Sequence, residues 1–276
     1  SIRRQRQMCI RDSTYIDARA RGVFRNKNLT PLVGDYVDID IDKKVILDIK
    51  NRISMISRPM GANIMEGLIV TSLKSPDLSL SLLDKQISYL IINNIKPVIV
   101  LTKRDLVDID ELKDIEEIFK YYDGIGIPVF YNTELDRLKG FLEGKLTCVT
   151  GQTGAGKSTL INKLGSLNIK TDEISKALGR GKHTTRHVEI YEIGKIKIMD
   201  TPGFSALDLN GITKEQLRDS FTEFKNYSCR FKDCMHNKEI DCGVKIAVGK
   251  EILPSRYENY IKLLGELNES SSIFFK

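Results

Sequence analysis

The 276 residues contain no apolar run approaching the ~20 that a bilayer-spanning helix needs, and no segment with the pattern of a signal peptide. A soluble, cytoplasmic chain with no membrane partner is therefore expected. Internal repeats and low-complexity tracts are also missing, which excludes repeat and fibrous architectures. Cysteine is scarce: 5 residues in a chain of this length do not make a disulfide framework. Strong charge of either sign is absent too. The balance of 43 Lys plus Arg against 37 Asp plus Glu, formally +6, permits an acidic partner such as RNA without demanding one.

What is there divides the chain at 1–63, 64–212 and 213–276. The opening "SIRRQRQMCIRD" has neither strand nor helix periodicity, and its pattern sets it outside the fold. Short alternating strands come next in "TYIDARARGVF", "GDYVDIDI", "KVILDI" and "RISMIS", separated by turn residues, the pattern of a small barrel of the OB type. Arg19, Arg21, Arg25 and Lys27 cluster there, either as a solvated face or as a nucleic-acid contact. From Gly67 the rhythm changes to strands alternating with helices: "GLIVTSL", "LSLLDKQISYLIINN", "PVIVLT", "DELKDIEEIFKYY", "IPVFYN" and "LTCVT". That alternation implies a mostly parallel sheet covered on both faces. "HVEIYEI" and "KIKIMD" form a hairpin pair, and a helix is expected from about Pro254 to Leu267.

Three constellations carry chemistry. The first is "GQTGAGKST": Gly151, Gln152, Thr153, Gly154, Ala155, Gly156, Lys157, Ser158 and Thr159, placed between an apolar strand and a helix. Glycines let the backbone wrap phosphate with its N–H groups, and the helix N-terminus adds its dipole. Lys157 is expected on the β- and γ-phosphates, and Ser158 on Mg²⁺. "DTPG" comes after a second strand and offers Asp200 to Mg²⁺ through water and the Gly203 N–H to the γ-phosphate. Between them "GRGKHTTRH" at 179–187 supplies Thr184 or Thr185 to complete the magnesium shell.

The second is "TKRD" at the end of "PVIVL": Thr102, Lys103, Arg104 and Asp105. An aspartate at that end of a parallel strand can accept the paired N1 and N2 donors of guanine, which adenine does not offer; an acidic loop end is the bland alternative. "YNT" at 131–133 stands where a second base loop would lie. The third is "CRFKDCMHNKEIDC", whose Cys229, Cys234, His236 and Cys242 supply three thiols and one imidazole. That is a closed shell for one structural Zn²⁺, with no open position for catalysis. Cys148 lies in an apolar strand and is expected in the core.

The base motif precedes the phosphate loop, the reverse of the familiar GTPase order. Read cyclically from 151 the order is ordinary, as it would be if the original ends were joined and the chain reopened elsewhere. The chain after "DTPG" is then free to carry an extra domain whose position follows the switch.

A strand-rich N-terminal unit, a circularly permuted P-loop GTPase domain and a C-terminal helical Cys3His module together resemble the RsgA family of bacterial GTPases. The resemblance runs from about Ala18 onward, through "RARGVFRN", "PLVGD", "GQTGAGKSTLIN", "GKHTTRHVEIY", "DTPGF" and "CRFKDCMHNKEIDCGVKIAV". It implies a multidomain α/β chain with an N-terminal OB-fold, binding GTP and GDP with Mg²⁺ and one Zn²⁺. It also implies hydrolysis stimulated by the small (30S) ribosomal subunit during late maturation, with contact to its rRNA. Thr102 departs from the commoner Asn and Thr153 from the commoner Ser, and residues 1–12 do not resemble the family's first barrel strand. A monomer with no DNA or dinucleotide site is expected. Two rival readings are an ATP-dependent P-loop enzyme with an accidental "TKRD", and a zinc-bearing RNA-binding module whose nucleotide is structural. Where Ras-like GTPases have a water-positioning glutamine, this chain has Phe204, which leaves His183 as the candidate for that task or as a loop residue on rRNA or Phe204.

Overall fold

The computed structural model describes residues 6–10, 14–22, 24, 29–57, 60–165, 188–200, 209 and 211–273. A four-stranded sheet in the order β1-β2-β4-β3 opens the chain. It contains β1 (Arg6–Ile10), β2 (Thr14–Ala20), β3 (Val37–Asp40) and β4 (Val45–Ile49), and a hairpin of β5 (Met55–Ser57) and β6 (Met60–Ala62) comes after it. The opening segment, expected outside the fold, is thus in part a strand. Arg6 to Ile10 run antiparallel to Thr14 to Ala18, because backbone pairing along a neighbouring edge needs no apolar alternation to form. A small core of Ala18, Phe24, Ile46 and Ile49 fills this unit. Arg52 clamps its loops, donating to both Asp35 carboxylate oxygens at 2.7 and 2.8 Å and to the Thr30 carbonyl at 2.7 Å.

The main sheet has six strands in the order β11-β12-β10-β7-β8-β9. β7 (Glu66–Ser72), β8 (Lys96–Thr102), β9 (Val129–Tyr131), β10 (Leu146–Thr150) and β12 (Ile196–Asp200) are parallel, and β11 (Glu189–Ile193) forms the expected antiparallel hairpin with β12. β7 and β8 are buried along nearly their whole length, which is why they read as unbroken apolar runs rather than alternating ones. Connections leave β7 toward β8 on one side and β10 toward β12 on the other. The sheet therefore reverses direction between β10 and β7, and the carboxyl ends of those strands open onto a crevice.

Helix α1 (Leu80–Ile92) starts at Ser79, whose hydroxyl accepts the Leu82 N–H at 3.3 Å. α2 (Ile109–Gly124) and α1 cover one face of the sheet; α3 (Leu135–Leu142) and α4 (Lys157–Leu164) cover the other. α3 has no counterpart among the elements expected from sequence. Only Leu138 and Leu142 of it are buried, too few to stand out as a helical stripe.

After the main sheet, α5 (Lys214–Ser220) begins with a capping box between Thr213 and Gln216. A 3-10 turn at Thr222–Asn226, the short α6 (Gly243–Ala247) and the long α7 (Pro254–Ile273) complete the chain, α7 running past the expected Leu267. One apolar cluster continues from Ile69, Ile99, Leu83 and Leu90 on the α1 face of the sheet into Leu217, Phe221, Val244, Tyr260 and Leu263 of these helices. The C-terminal helices are seated on α1.

Candidate functional site

The glycine-rich loop leaves β10 at the crevice. Gly151 has φ +137, and a Cβ there would stand 2.1 Å from the Val70 carbonyl oxygen, so only glycine lets the root of the loop lie against β7. Gly154 and Gly156 also hold positive φ, at +81 and +96. Lys157, the first residue of α4, folds back over the loop: its ammonium donates to the Gly151 and Gln152 carbonyls, both at 2.7 Å. Burial holds that ammonium below its ordinary pKa. Ala155 is buried, Gln152, Gly156 and Ser158 are half-buried, and Thr153, Gly154 and Thr159 are exposed.

Two side chains outside the loop fasten it. Thr102, at the end of β8 and 3% exposed, donates its hydroxyl to the Ala155 carbonyl at 2.7 Å. Gln86 of α1, 2% exposed, donates its amide N–H to the Thr150 hydroxyl at 3.2 Å, one residue before Gly151. The first member of "TKRD" thus reaches the glycine-rich loop itself. Lys103 takes a left-handed φ of 59 and donates to the Ser75 carbonyl. Arg104 pairs with Glu116 at 2.8 Å and lies 4.9 Å over the Tyr131 ring, tying the "TKRD" turn to the loop after β9. Asp105 is exposed on the Arg104–Leu106 turn. The structure brings "TKRD", "YNT" and the glycine loop to one rim of the sheet. Asp200 closes β12, next to Met199, which is paired with Cys148 of β10. His183, Thr184, Thr185, Gly203 and Phe204 lie outside the described residues.

The cysteine cluster forms where two chain segments touch. A bridge pairs Cys229 with Cys242, and Gly243 lies so close to Ser228 that a Cβ would meet its carbonyl oxygen at 2.2 Å. The ligand atoms of Cys229, Cys234, His236 and Cys242 lie within 4.8 Å of one another. Cys229 Sγ stands 3.8 Å from Cys242 Sγ, and His236 Nδ1 stands 3.5 and 3.4 Å from those two sulfurs. A tetrahedral zinc with Zn–S of about 2.3 Å and Zn–N of about 2.0–2.1 Å requires edges of roughly 3.8 Å between sulfurs and 3.6 Å between sulfur and nitrogen. The cluster fits a structural Zn²⁺. His236 adopts a left-handed φ of 55, which points its N–H at Cys234 Sγ, 3.4 Å away. Its ring stands edge-on to Phe224 at 5.4 Å, and its carbonyl accepts the Tyr257 hydroxyl at 2.7 Å. Burial pushes the Cys234 thiol up to about 12, the cost that a bound cation offsets. Cys148 is fully buried in β10, a core residue whose thiol burial likewise pushes up to about 12.

A third polar constellation leaves no trace in the sequence pattern. Arg256 of α7 is wholly buried between Asp84 of α1, at 2.7 Å, and Glu223, at 2.8 Å. Burial opposes its charge, but the two carboxylates outweigh that and hold the guanidinium above its ordinary value. The Tyr122 hydroxyl and the Asn259 amide complete the shell around Asp84, each at 2.7 Å. Glu223 and Arg256 read in sequence as ordinary solvated charges, and no local signal marks them.

A parallel sheet with a glycine loop after β10 and a "TKRD" turn after β8, on either side of the central β7 and in reversed chain order, defines a circularly permuted GTPase with a zinc-binding module behind it. The chain belongs to the RsgA GTPase family. The family profile described as RsgA GTPase matches residues 45–210, and that described as the RsgA N-terminal domain matches residues 10–45, the strand-rich unit read as an OB-fold. A relative named small ribosomal subunit biogenesis GTPase RsgA 2 from Oceanobacillus iheyensis is 43% identical, over 93% of this chain and 92% of its own. One named small ribosomal subunit biogenesis GTPase RsgA from Lactococcus lactis is 41% identical, over 94% and 90%. Among solved structures, YjeQ from Thermotoga maritima aligns with a TM-score of 0.82 at 33% identity, over 93% of this chain and 91% of that one. The circularly permuted GTPase YloQ aligns with a TM-score of 0.78 at 31% identity, over 94% and 88%.

Proposed function

We propose that this GTPase binds the small (30S) ribosomal subunit and hydrolyses GTP during the subunit's late maturation, with the subunit stimulating hydrolysis and hydrolysis promoting release. The observation that carries the reading is the convergence of the glycine loop and the "TKRD" turn on one rim, held together by the Thr102–Ala155 hydrogen bond. Relatives named for small-subunit biogenesis at 41–43% identity support the partner. The chain acts in the cytoplasm as a monomer of three units, 1–63, 64–212 and 213–276, with no DNA or membrane partner. Among the described residues no helix is long and apolar enough to cross a membrane.

In this reading the backbone N–H groups from Gly151 to Thr159 cradle the phosphates, and Lys157 exchanges the Gly151 and Gln152 carbonyls for phosphate oxygens. Asp105 accepts the guanine donors, with Lys103 and Arg104 shaping that side of the site. Ser158, Thr185 (or its neighbour Thr184) and Asp200 offer hydroxyl and carboxylate oxygens, the hard donor set that suits Mg²⁺. The ion would neutralise charge developing on the phosphates. The Gly203 N–H senses the γ-phosphate, and His183 positions the attacking water once the subunit is bound. His183→Ala should lower stimulated kcat by about 10²-fold with little change in GTP affinity; normal stimulated turnover would remove it from the mechanism. The whole reading is tested by GTP turnover with and without purified small subunits at low salt. Stimulation that fades as salt rises is expected from rRNA phosphate contacts. Equal turnover in both would overturn the partner, and equal competition by ATP would overturn guanine selectivity.

A further inference from the structure

Helix α1 buries three polar side chains, Asp84, Gln86 and Ser88, none more than 2% exposed, and two of them, Asp84 and Gln86, hydrogen-bond to other elements. An unpaired buried polar group costs free energy, so what Asp84 and Gln86 meet defines what the helix joins. Two positions along an α-helix turn through about 200°, so these side chains leave on nearly opposite sides. Asp84 faces α7, where Arg256 and Asn259 each reach it at 2.7 Å. Gln86 faces β10 and donates to Thr150.

Thr150 is the last residue of β10, and the chain immediately after it has no slack. Gly151 already lies against the Val70 backbone, and its carbonyl is one of the two that fix the Lys157 ammonium. A shift of Thr150 therefore shifts both the cradle and its lysine. We propose that Gln86 is a positioning residue for the phosphate loop, and that the Asp84–Arg256 pair sets where Gln86 stands. Helix α7, which packs beside the cysteine cluster through Tyr257 and Tyr260, thereby bears on nucleotide through α1, by a route separate from the segment at 201–208. The inference rests on the reading of residues 151–158 as the phosphate-binding loop.

The test measures GDP dissociation from the full-length, zinc-loaded chain with a fluorescent nucleotide. Gln86→Leu removes the donor at similar volume and should speed dissociation about 3–10-fold, the worth of one neutral hydrogen bond. Thr150→Val should do the same, Thr150→Ser should restore the parent rate, and the double variant Gln86→Leu/Thr150→Val should be no worse than either single one. A general loss of stability would give neither the rescue nor the non-additivity. Asp84→Asn, which keeps side-chain shape, should speed dissociation about two- to fivefold, within what coupling through packed side chains delivers. Lys157→Ala distinguishes a failure of the loop assignment from a failure of the Gln86 positioning role. If it leaves GDP binding intact, the loop reading fails and the inference with it. If it abolishes binding while Gln86→Leu leaves dissociation unchanged, the inference alone is overturned. If Gln86→Leu acts but Asp84→Asn does not, the link to α7 is wrong and the positioning role of Gln86 stands.

Discussion

The glycine loop and the cysteine cluster can each hold an ion, and they would use opposite parts of the chain to do it. The loop is main chain: its donors are N–H groups, and its shape comes from three positive-φ glycines and tethers from Thr102 and Gln86. The cluster is side chain: three sulfurs and one nitrogen crowd within 4.8 Å, and little but a shared cation reconciles them. A site made of backbone is as stable as the sheet that presents it and can stand ready for a ligand that comes and goes. A site made of ligating side chains is stable when filled. One suits an exchanging nucleotide, the other a permanent metal.

The contrast breaks most visibly at the metal. Cys234→Ser should lose the roughly one zinc per chain and unfold the C-terminal helices, because binding energies of about 10–16 kcal/mol are folding energy in such modules. GDP binding should survive better than subunit stimulation. Elemental analysis finding no zinc in freshly purified parent protein would sink the assignment. Next in size, Gly151→Ala forces a Cβ to 2.1 Å from the Val70 oxygen at φ +137. A loss of about 2–4 kcal/mol in nucleotide affinity is expected, with zinc content unchanged. Zinc loss in that variant would mean that strain at Gly151 reaches the cluster through the core they share.

Two smaller changes sharpen the loop's side of the comparison. Asp105→Asn should weaken GTP by about 1–3 kcal/mol and favour the xanthine nucleotide, since a base donor loses its acceptor. Undiminished GTP binding, read by calorimetry, would remove "TKRD" from base recognition. Thr102→Val keeps the volume and loses the hydroxyl that ties β8 to Ala155. It should cost about 1 kcal/mol of affinity for GTP, and for any other nucleotide equally, because the tether holds the cradle rather than the base. A loss confined to guanine nucleotides would contradict that division of labour.

Signals at short range were legible in the sequence: the apolar strands, the hairpin of β11 and β12, the glycine loop, and three cysteines and a histidine crowded into one short stretch. Each is a local pattern with a local cause. What was hidden depends on partners far along the chain. Asp84 meets Arg256 across 172 positions, and each alone looks like a charge on a solvated helix face. Thr102 reads as a weak substitute for asparagine until its hydroxyl is seen on Ala155, 53 positions away. α3 escaped because a helix with two buried leucines leaves a faint stripe, and β1 because strand pairing is a property of the edge it meets.

The strand order also sets a timetable for synthesis. β7, β8 and β9 are neighbours in the chain as well as in the sheet, so that half can assemble as it leaves the ribosome, the "TKRD" turn included. β10 then docks on the edge of β7 left open, its Thr147 opposite Glu66, and brings the glycine loop to a rim already in place. Until it does, β7, an almost wholly buried strand, exposes a row of unpaired backbone groups that any extended chain could join. That edge stays open from the synthesis of Ser72, where β7 ends, until Thr150 completes β10, and a pause within that span would leave the nascent sheet open to misassembly.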